Sequence, residues 1–476
     1  MDPVIAKAPL TATGHPLQRA GAWAVAVLAG QSDPSEITAK DLDHVAAAVV
    51  EEACTAAVAP KDGGPAYEWW KVLLALYPNS KATHSTRSKE PGVIRGHLNE
   101  LFAADDAGAC CGPCTFCGAD ASVLWTKVNL PLFDTNKALN LLPPGMRGWP
   151  VCRGCRIAMW ALPYGAWVTA GSATVLSCES DAAIAQFTRR NVQRARRIMQ
   201  AGFTGMPAGA RAEYVALAAL RDAAADLCAT TLWTFKNDNQ EPWLRVTHTR
   251  RAVPVFLAKV DGNATLRRGW HLLAGALTRF DKKGKISASG AQEAARLLFE
   301  AEDGRGWSLL RQLFELLKET DRSWPPGGRE ALARLGVAYA EEVLGMTPNE
   351  SAVATLLTEW IARGTSPRAR FAEYRNAALS DYRLGMLLMQ AYSRLLLDGQ
   401  APELAGPKGW EALIQRRPRA WEQRMLLFAQ VSVLLQQRGV AVSEKPASPE
   451  EQQRLDALED QPLLDENEFD YMMGPA

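Results

Sequence analysis

No apolar run in the chain approaches 18 residues, so the sequence predicts no membrane-spanning helix. The start, Met1-Asp2-Pro3, lacks the basic and apolar stretches of a secretory signal, and a cytoplasmic location is the expectation. There is no Walker loop, no His-Glu-x-x-His and no Gly-x-Ser-x-Gly. Histidine is scarce: His15, His44, His84, His97, His248 and His271 share no motif with one another or with the cysteines. These absences remove the common signatures of NTPases, zinc peptidases and serine hydrolases, and the expectation is a protein that is not an enzyme. Net charge is also nearly missing, at +1 over 476 residues.

That small total conceals an uneven distribution. Residues 107–300 hold 24 Lys and Arg against 13 Asp and Glu, whereas the segments before and after are net acidic, at −4 and −6. A basic centre fits a polyanionic partner, because Lys and Arg that neutralise phosphates release condensed counterions. The same charges would equally serve several solvated faces.

Six of the nine cysteines, Cys110, Cys111, Cys114, Cys117, Cys152 and Cys155, crowd into one short span. The stretch "CCGPCTFCG" holds two competing motifs. Cys111-Gly-Pro-Cys114 is the pair of thioredoxin-like oxidoreductases, and Cys114-Thr-Phe-Cys117-Gly is a zinc knuckle. A thioredoxin site needs a strand before its first cysteine and a helix after it. "AADDAGAC" and "TFCGADAS" supply neither. The knuckle has a second half in Cys152-Arg-Gly-Cys155, separated from Cys117 by 34 residues. Two such knuckles set four thiolates around Zn²⁺ with no position left open for water, hence a structural site on Cys114, Cys117, Cys152 and Cys155. A loop or small hairpin is expected between them, and Cys111 could replace Cys117 if the first knuckle slid back. Cys54, Cys178 and Cys228 stand alone among small apolar residues and read as packed thiols.

The fold class expected is α+β, mostly α: a mixed N-terminal domain with an inserted zinc-finger module and a C-terminal helical bundle. The first 106 residues read as three helices, with Ser35 or Thr38 capping the second; the finger occupies 107–165. A basic mixed α/β part covers 166–290. In it "AAIAQFTRRNVQRARRIMQ" is a helix with Arg189, Arg190, Arg194, Arg196 and Arg197, of which Arg190, Arg194 and Arg197 form one stripe. "TTLWTFKNDNQEPWLRVTHTRRAVPVFLAKV" reads as a strand, a polar turn over 236–241 and a second strand. Residues 291–445 carry amphipathic stripes, such as Leu384, Leu387, Leu388, Ala391 and Leu395, that suggest four or five bundled helices. The acidic tail, 446–476, has the composition of a disordered segment.

Taken in order, "TGHPLQRAGAWAVAVLAG", "EITAKDL", "YPNS", the paired knuckles with "ALPYG" after them, and "LWTFKNDNQEPWLRV" leading to "VPVFL" resemble the large subunit of type I CRISPR surveillance complexes (Cascade), in the branch carrying a paired Cys-x-x-Cys insertion. The resemblance spans roughly residues 10 to 260. It implies a non-enzymatic subunit that holds the 5′ end of a guide CRISPR RNA, reads the protospacer-adjacent motif on double-stranded target DNA and helps start unwinding. The C-terminal bundle would then stabilise the displaced strand, and the partners would be backbone subunits and a downstream helicase-nuclease or transposition module. Some relatives start a separate small subunit internally, and Met346 is suitably placed for that.

Base-reading candidates are Lys236, Asn237, Asn239 and Gln240 in the polar turn, whose composition equally suits an ordinary turn, together with Lys127 and Asn129 in the finger. Candidates for the phosphate backbone are Arg189, Arg190, Arg194, Arg197, Arg250, Arg251, Arg267, Arg268, Lys282 and Lys283. Two other readings compete: a stand-alone zinc-ribbon DNA-binding regulator, and an enzyme that is either thiol-redox through Cys111 and Cys114 or a nuclease.

Overall fold

A computed structural model describes residues 9–440, apart from 107, 127, 132–146, 170, 204–210, 225–226, 237–242, 285, 302–307, 320–323, 347–351, 401–409 and 416–419. The protein is α+β and mostly α. Among the described residues no helix is long and apolar enough to cross a membrane. The chain forms two compact units that divide between His248 and Thr249, with a short crossing at 226–228. That division falls inside the expected 166–290 segment. The acidic tail lies outside the described residues.

The first unit contains α1 (Pro16–Ala29), α2 (Ala39–Val58), α3 (Gly64–Leu76) and α4 (Pro91–Leu101), then four two-residue strands, β1 (Gly112–Pro113), β2 (Asp120–Ala121), β3 (Leu124–Trp125) and β4 (Trp149–Pro150). Next come α5 (Arg153–Gly165), β5 (Trp167–Val168), β6 (Ser172–Cys178), α6 (Asp181–Ala201), α7 (Ala212–Asp222), β7 (Thr230–Lys236) and β8 (Trp243–Thr249). Local chemistry fixes the helix starts. Pro16 opens α1, where its missing N–H costs nothing. Thr38, not Ser35, caps α2, in a reciprocal capping box with Asp41.

The core of this unit is α5, buried along its whole length. Helix α1 lies against it at glycine distance. A Cβ on Gly21 would sit 1.8 Å from the Ala158 carbonyl oxygen, and one on Gly165 2.3 Å from that of Ala20. Trp160 of α5 stacks on Tyr77, with ring centres 4.2 Å apart and planes 2° from parallel, and the Tyr77 hydroxyl donates to the Met159 carbonyl at 2.7 Å. Strands β8-β7-β6-β5 form a sheet; β6 pairs antiparallel with β5 and, over its full length, with β7. Ala173 and Val175 of β6 turn into the helical core with Trp233 and Phe235 of β7 packed against it.

The second unit contains α8 (Val253–Gly262), α9 (Ala264–Leu277), β9 (Arg279–Phe280), β10 (Ile286–Ala288), α10 (Gly290–Arg296), α11 (Leu309–Lys318), α12 (Gly328–Glu342), α13 (Ala352–Ala362), α14 (Pro367–Ala377), α15 (Asp381–Leu397), α16 (Glu411–Ile414) and α17 (Ala420–Gln437). The segment "VPVFLAKV" is therefore helix, not the end of a second strand. Pro254 sits in the first turn of α8, where its fixed φ favours a helix start. From 309 on there are seven helices among the described residues, more than the four or five expected. Ser366 and Ser380 cap new starts where an apolar count alone sees one stretch. Phe428 of α17 is the hub, touching Phe314, Phe371 and Tyr374.

Candidate metal centre

The first knuckle is built by a tight hairpin. Strands β1 and β2 pair Gly112 with Ala121 and Pro113 with Asp120, so the intervening turn must reverse within six residues. Gly118 takes φ 69°, a left-handed value that glycine adopts at no steric cost, and its N–H donates to the Cys114 carbonyl at 2.8 Å. Cys114 and Cys117 are thereby held on the inner side of that turn. Strands β3 and β4 pair Trp125 with Trp149 and deliver the chain to Cys152, the N-cap of α5; Cys155 lies in the first turn of that helix. The Thr115 N–H and hydroxyl both donate to the Pro150 carbonyl, at 2.9 and 3.1 Å, joining the knuckles.

The four sulfurs lie within 4.8 Å of one another, with Cys117 and Cys152 Sγ 3.5 Å apart. A tetrahedral ion with metal–sulfur bonds of about 2.3 Å separates its sulfurs by about 3.8 Å, so this set fits one ion. The electrostatics agree with a cation. Hydrogen bonds from the other three thiols hold the Cys114 thiol far below its ordinary value. Hydrogen bonds with Cys114, Cys117 and Cys152, with burial, push Cys155 far above it. Cys117 is also lowered, to about 7, whereas Cys152 is raised like Cys155. Two thiolates are tolerated and two resisted, and four become compatible only when a cation compensates them. The positive end of α5 points at Cys152 and Cys155 and favours the same charge state.

A supporting shell lies behind the sulfurs. Gln18 of α1, fully buried, donates from Nε2 to the Thr11 carbonyl at 2.8 Å and to Cys155 Sγ at 3.5 Å, while its Oε1 accepts from the Thr13 N–H and hydroxyl. Arg156, at 0% exposure, donates to the carbonyls of Leu101 and Ala103 and pairs with Asp105 at 2.7 Å. The Asp105 carboxylate also accepts from the Arg153 N–H at 2.6 Å. Sequence reasoning missed Gln18, Asp105 and Arg156. Gln18 carries no local signal, and Asp105 sits in a stretch that reads as an acidic loop.

Cys111 is not a ligand. It is exposed, and its thiol points to the carbonyls of Ser122 and Ala109, at 3.3 and 3.5 Å. All nine cysteines are free, so Cys111 and Cys114 form no disulfide. Cys54, Cys178 and Cys228 are buried, as their settings implied.

The expected nucleic-acid residues fare unevenly. Arg194 is 3% exposed: its guanidinium stacks on Trp167 at 4.1 Å and Nε donates to the Val168 carbonyl at 3.2 Å. It supports the sheet and is not open to a phosphate. Of the stripe of Arg190, Arg194 and Arg197, Arg194 turns into the core while Arg190 and Arg197 are half-buried at its edge, and Arg190 pairs with Asp222. Arg189 and Arg196 are the exposed cations of that helix. Arg250 pairs with Glu300 at 3.0 Å, Arg267 donates to the Asp261 carbonyl, and Arg268 is half-buried. Arg251, Lys282 and Lys283 are exposed. Asn129 is half-buried and its Oδ1 accepts from the Thr126 N–H at 3.0 Å, which commits its acceptor to a local turn. Lys127, Asn237, Asn239 and Gln240 lie outside the described residues; Lys236 ends β7. Compared with models of known families, with curated proteins and with solved structures, the chain matches none.

Proposed function

We propose that this chain is the large, non-enzymatic subunit of a guide-RNA surveillance complex, with a zinc ion held structurally by Cys114, Cys117, Cys152 and Cys155. The observation that carries this reading is the convergence of the two knuckles, in the order that resembles that family, on one buried tetrathiolate set. Tetrahedral sulfur coordination suits zinc, and four cysteine ligands leave no site for a substrate or an activated water. The ion is a staple: it fixes the finger to the first turn of α5, the central helix of its unit.

The finger and the polar segment after β7 are then the parts of this unit directed at nucleic acid. Asn237, Asn239 and Gln240, which lie outside the described residues, carry amides that suit base edges, and the exposed Arg189, Arg196, Arg251, Lys282 and Lys283 offer charge to phosphates. Sequence specificity is delegated to guide pairing, while this subunit reads the short duplex motif and the guide's 5′ end. It acts in the cytoplasm with backbone subunits and a downstream helicase-nuclease or transposition module.

The test is co-expression with the genomic neighbours, affinity purification through this chain, and analysis of the recovered proteins, RNA and metal. A uniform guide-length RNA, repeated backbone subunits and one zinc per large subunit are expected. A lone zinc protein that binds DNA without RNA would replace this reading with that of a zinc-ribbon regulator.

A further inference from the structure

The hairpin of β9 and β10 in the second unit exposes groups that hairpins usually shield. Phe280 and Ile286 are direct cross-strand partners and so share one face of the ribbon. They are 57% and 65% exposed. Arg279, Lys282 and Lys283 are exposed on the same hairpin. Its acid, Asp281, accepts from the Lys283 backbone N–H at 2.8 Å and serves the turn, which Gly284 completes at φ 74°.

Both roots of this finger are fixed. The Thr278 hydroxyl donates to the Ala274 carbonyl at 3.0 Å, and Gly290, which opens α10, lies so near that a Cβ there would be 1.6 Å from the same oxygen. The exposed aromatic is thus presented from a rigid mount.

We propose that this hairpin is a single-strand nucleic-acid finger. Phe280, backed by Ile286, stacks on an unpaired base, while Lys282 and Lys283 hold the adjoining phosphates. The inference deepens the proposed function by naming the ligand class and residues of one contact. Aromatic stacking beside a track of cations is how proteins bind single strands without reading sequence. A protein partner fits less well, because lysine is depleted from protein interfaces and seating an apolar surface here would desolvate these lysines. A duplex keeps its base faces stacked, whereas a single strand offers them.

The experiment measures anisotropy of fluorescein-labelled oligo-dT and oligo-U with the full-length, metal-loaded chain, and maps 5-iodouracil crosslinks. Phe280→Ala is expected to weaken binding roughly tenfold and Phe280→Trp to preserve it. Lys282→Ala with Lys283→Ala should flatten the salt dependence, by a slope of about 0.7 per lost phosphate contact. The crosslink should fall on Phe280, and thermal melting should be unchanged because the side chain is exposed. Preference for dT or for U keeps the proposal and names the strand. Wild-type affinity in Phe280→Ala, crosslinks only elsewhere, or no single-strand binding by the wild type would overturn it. So would loss of a co-purifying protein subunit with oligonucleotide affinity unchanged. Guide RNA recovery in the co-purified complex reads the proposed function separately, since a complex without guide sinks that reading and leaves the finger's affinities to be judged alone.

Discussion

Gly21→Ala should destabilise the first unit, although the same change in an open helix stabilises. An alanine Cβ at position 21 would lie 1.8 Å from the Ala158 carbonyl oxygen, so α1 and α5 would have to part by more than 1 Å. Gly165 meets Ala20 on the same interface, which leaves the helices no direction in which to slide. Overpacking a fixed core costs about 3 kcal/mol at the upper end of its usual range. Alanine's better helix propensity returns about 1 kcal/mol, for a net loss of about 2 kcal/mol. In a unit of some 200 residues that lowers the melting temperature by about 4–8 °C. The control is Gly96→Ala in α4, exposed and with nothing within 4 Å of the added Cβ; it should gain up to about 1 kcal/mol. Thermal melts of both variants, with hydrogen exchange of the α1 and α5 peptides, measure the pair. A Gly21→Ala protein that melts at or above the wild type, with α1 and α5 equally protected, would refute the close-approach argument.

Four further outcomes follow from the geometry. Cys114→Ser and Cys152→Ser should lose zinc and loosen the finger, whereas Cys111→Ser should keep its full metal content, as read by mass spectrometry and pyridylazoresorcinol release; zinc retained in Cys152→Ser would contradict the ligand set. Gln18→Ala strips a buried donor from Cys155 and the Thr11 carbonyl and should cost about 1–3 kcal/mol, with faster zinc release to a chelator. Unchanged release kinetics would deny Gln18 that role. Arg194→Ala should cost about 2 kcal/mol through its stacking and hydrogen bond while leaving the salt slope of nucleic-acid binding intact, whereas Arg189→Ala should lower that slope and leave stability alone. Burial raises the pKa of Glu52 above 4.5, against a hydrogen bond from Tyr164 and the charge of Arg196. A raised folded-state pKa gives stability that is present below the unfolded value and lost as pH rises through the folded one. Glu52→Gln should therefore gain on the wild type as pH climbs upward from the ordinary carboxylate range, and urea melts showing a pH-independent difference would count against this.

Some of this was readable before any fold was known. Two Cys-x-x-Cys pairs announce a tetrathiolate set because each knuckle is a local turn. Thr38 was one of two candidate caps for α2, and its capping box with Asp41 is likewise local. Strands β7 and β8 form where the β-branched and aromatic runs predicted two strands. Helix α8 was misread because Val253–Leu257 is apolar enough for either state, and a proline in a first helical turn outweighs β propensity. Arg194 of α6 is buried, not open to a phosphate, for a different reason. The helical spacing of the α6 arginines is right, but a stripe has no inside or outside until something packs on it.

The sequence by itself thus determined the helix-rich class, Thr38 as one of two candidate caps, the four-cysteine set and the excess of positive charge in the middle of the chain. All of these rest on interactions spanning a few residues or on composition. Only the tertiary structure decided that Trp167 would cover Arg194, that Gln18 would reach Cys155 across 137 positions, and that Gly21 and Gly165 would let two helices touch. It likewise left Phe280 and Ile286 bare while burying most comparable side chains. Such outcomes depend on which surfaces meet, and pairing between distant segments leaves no periodic trace in one chain.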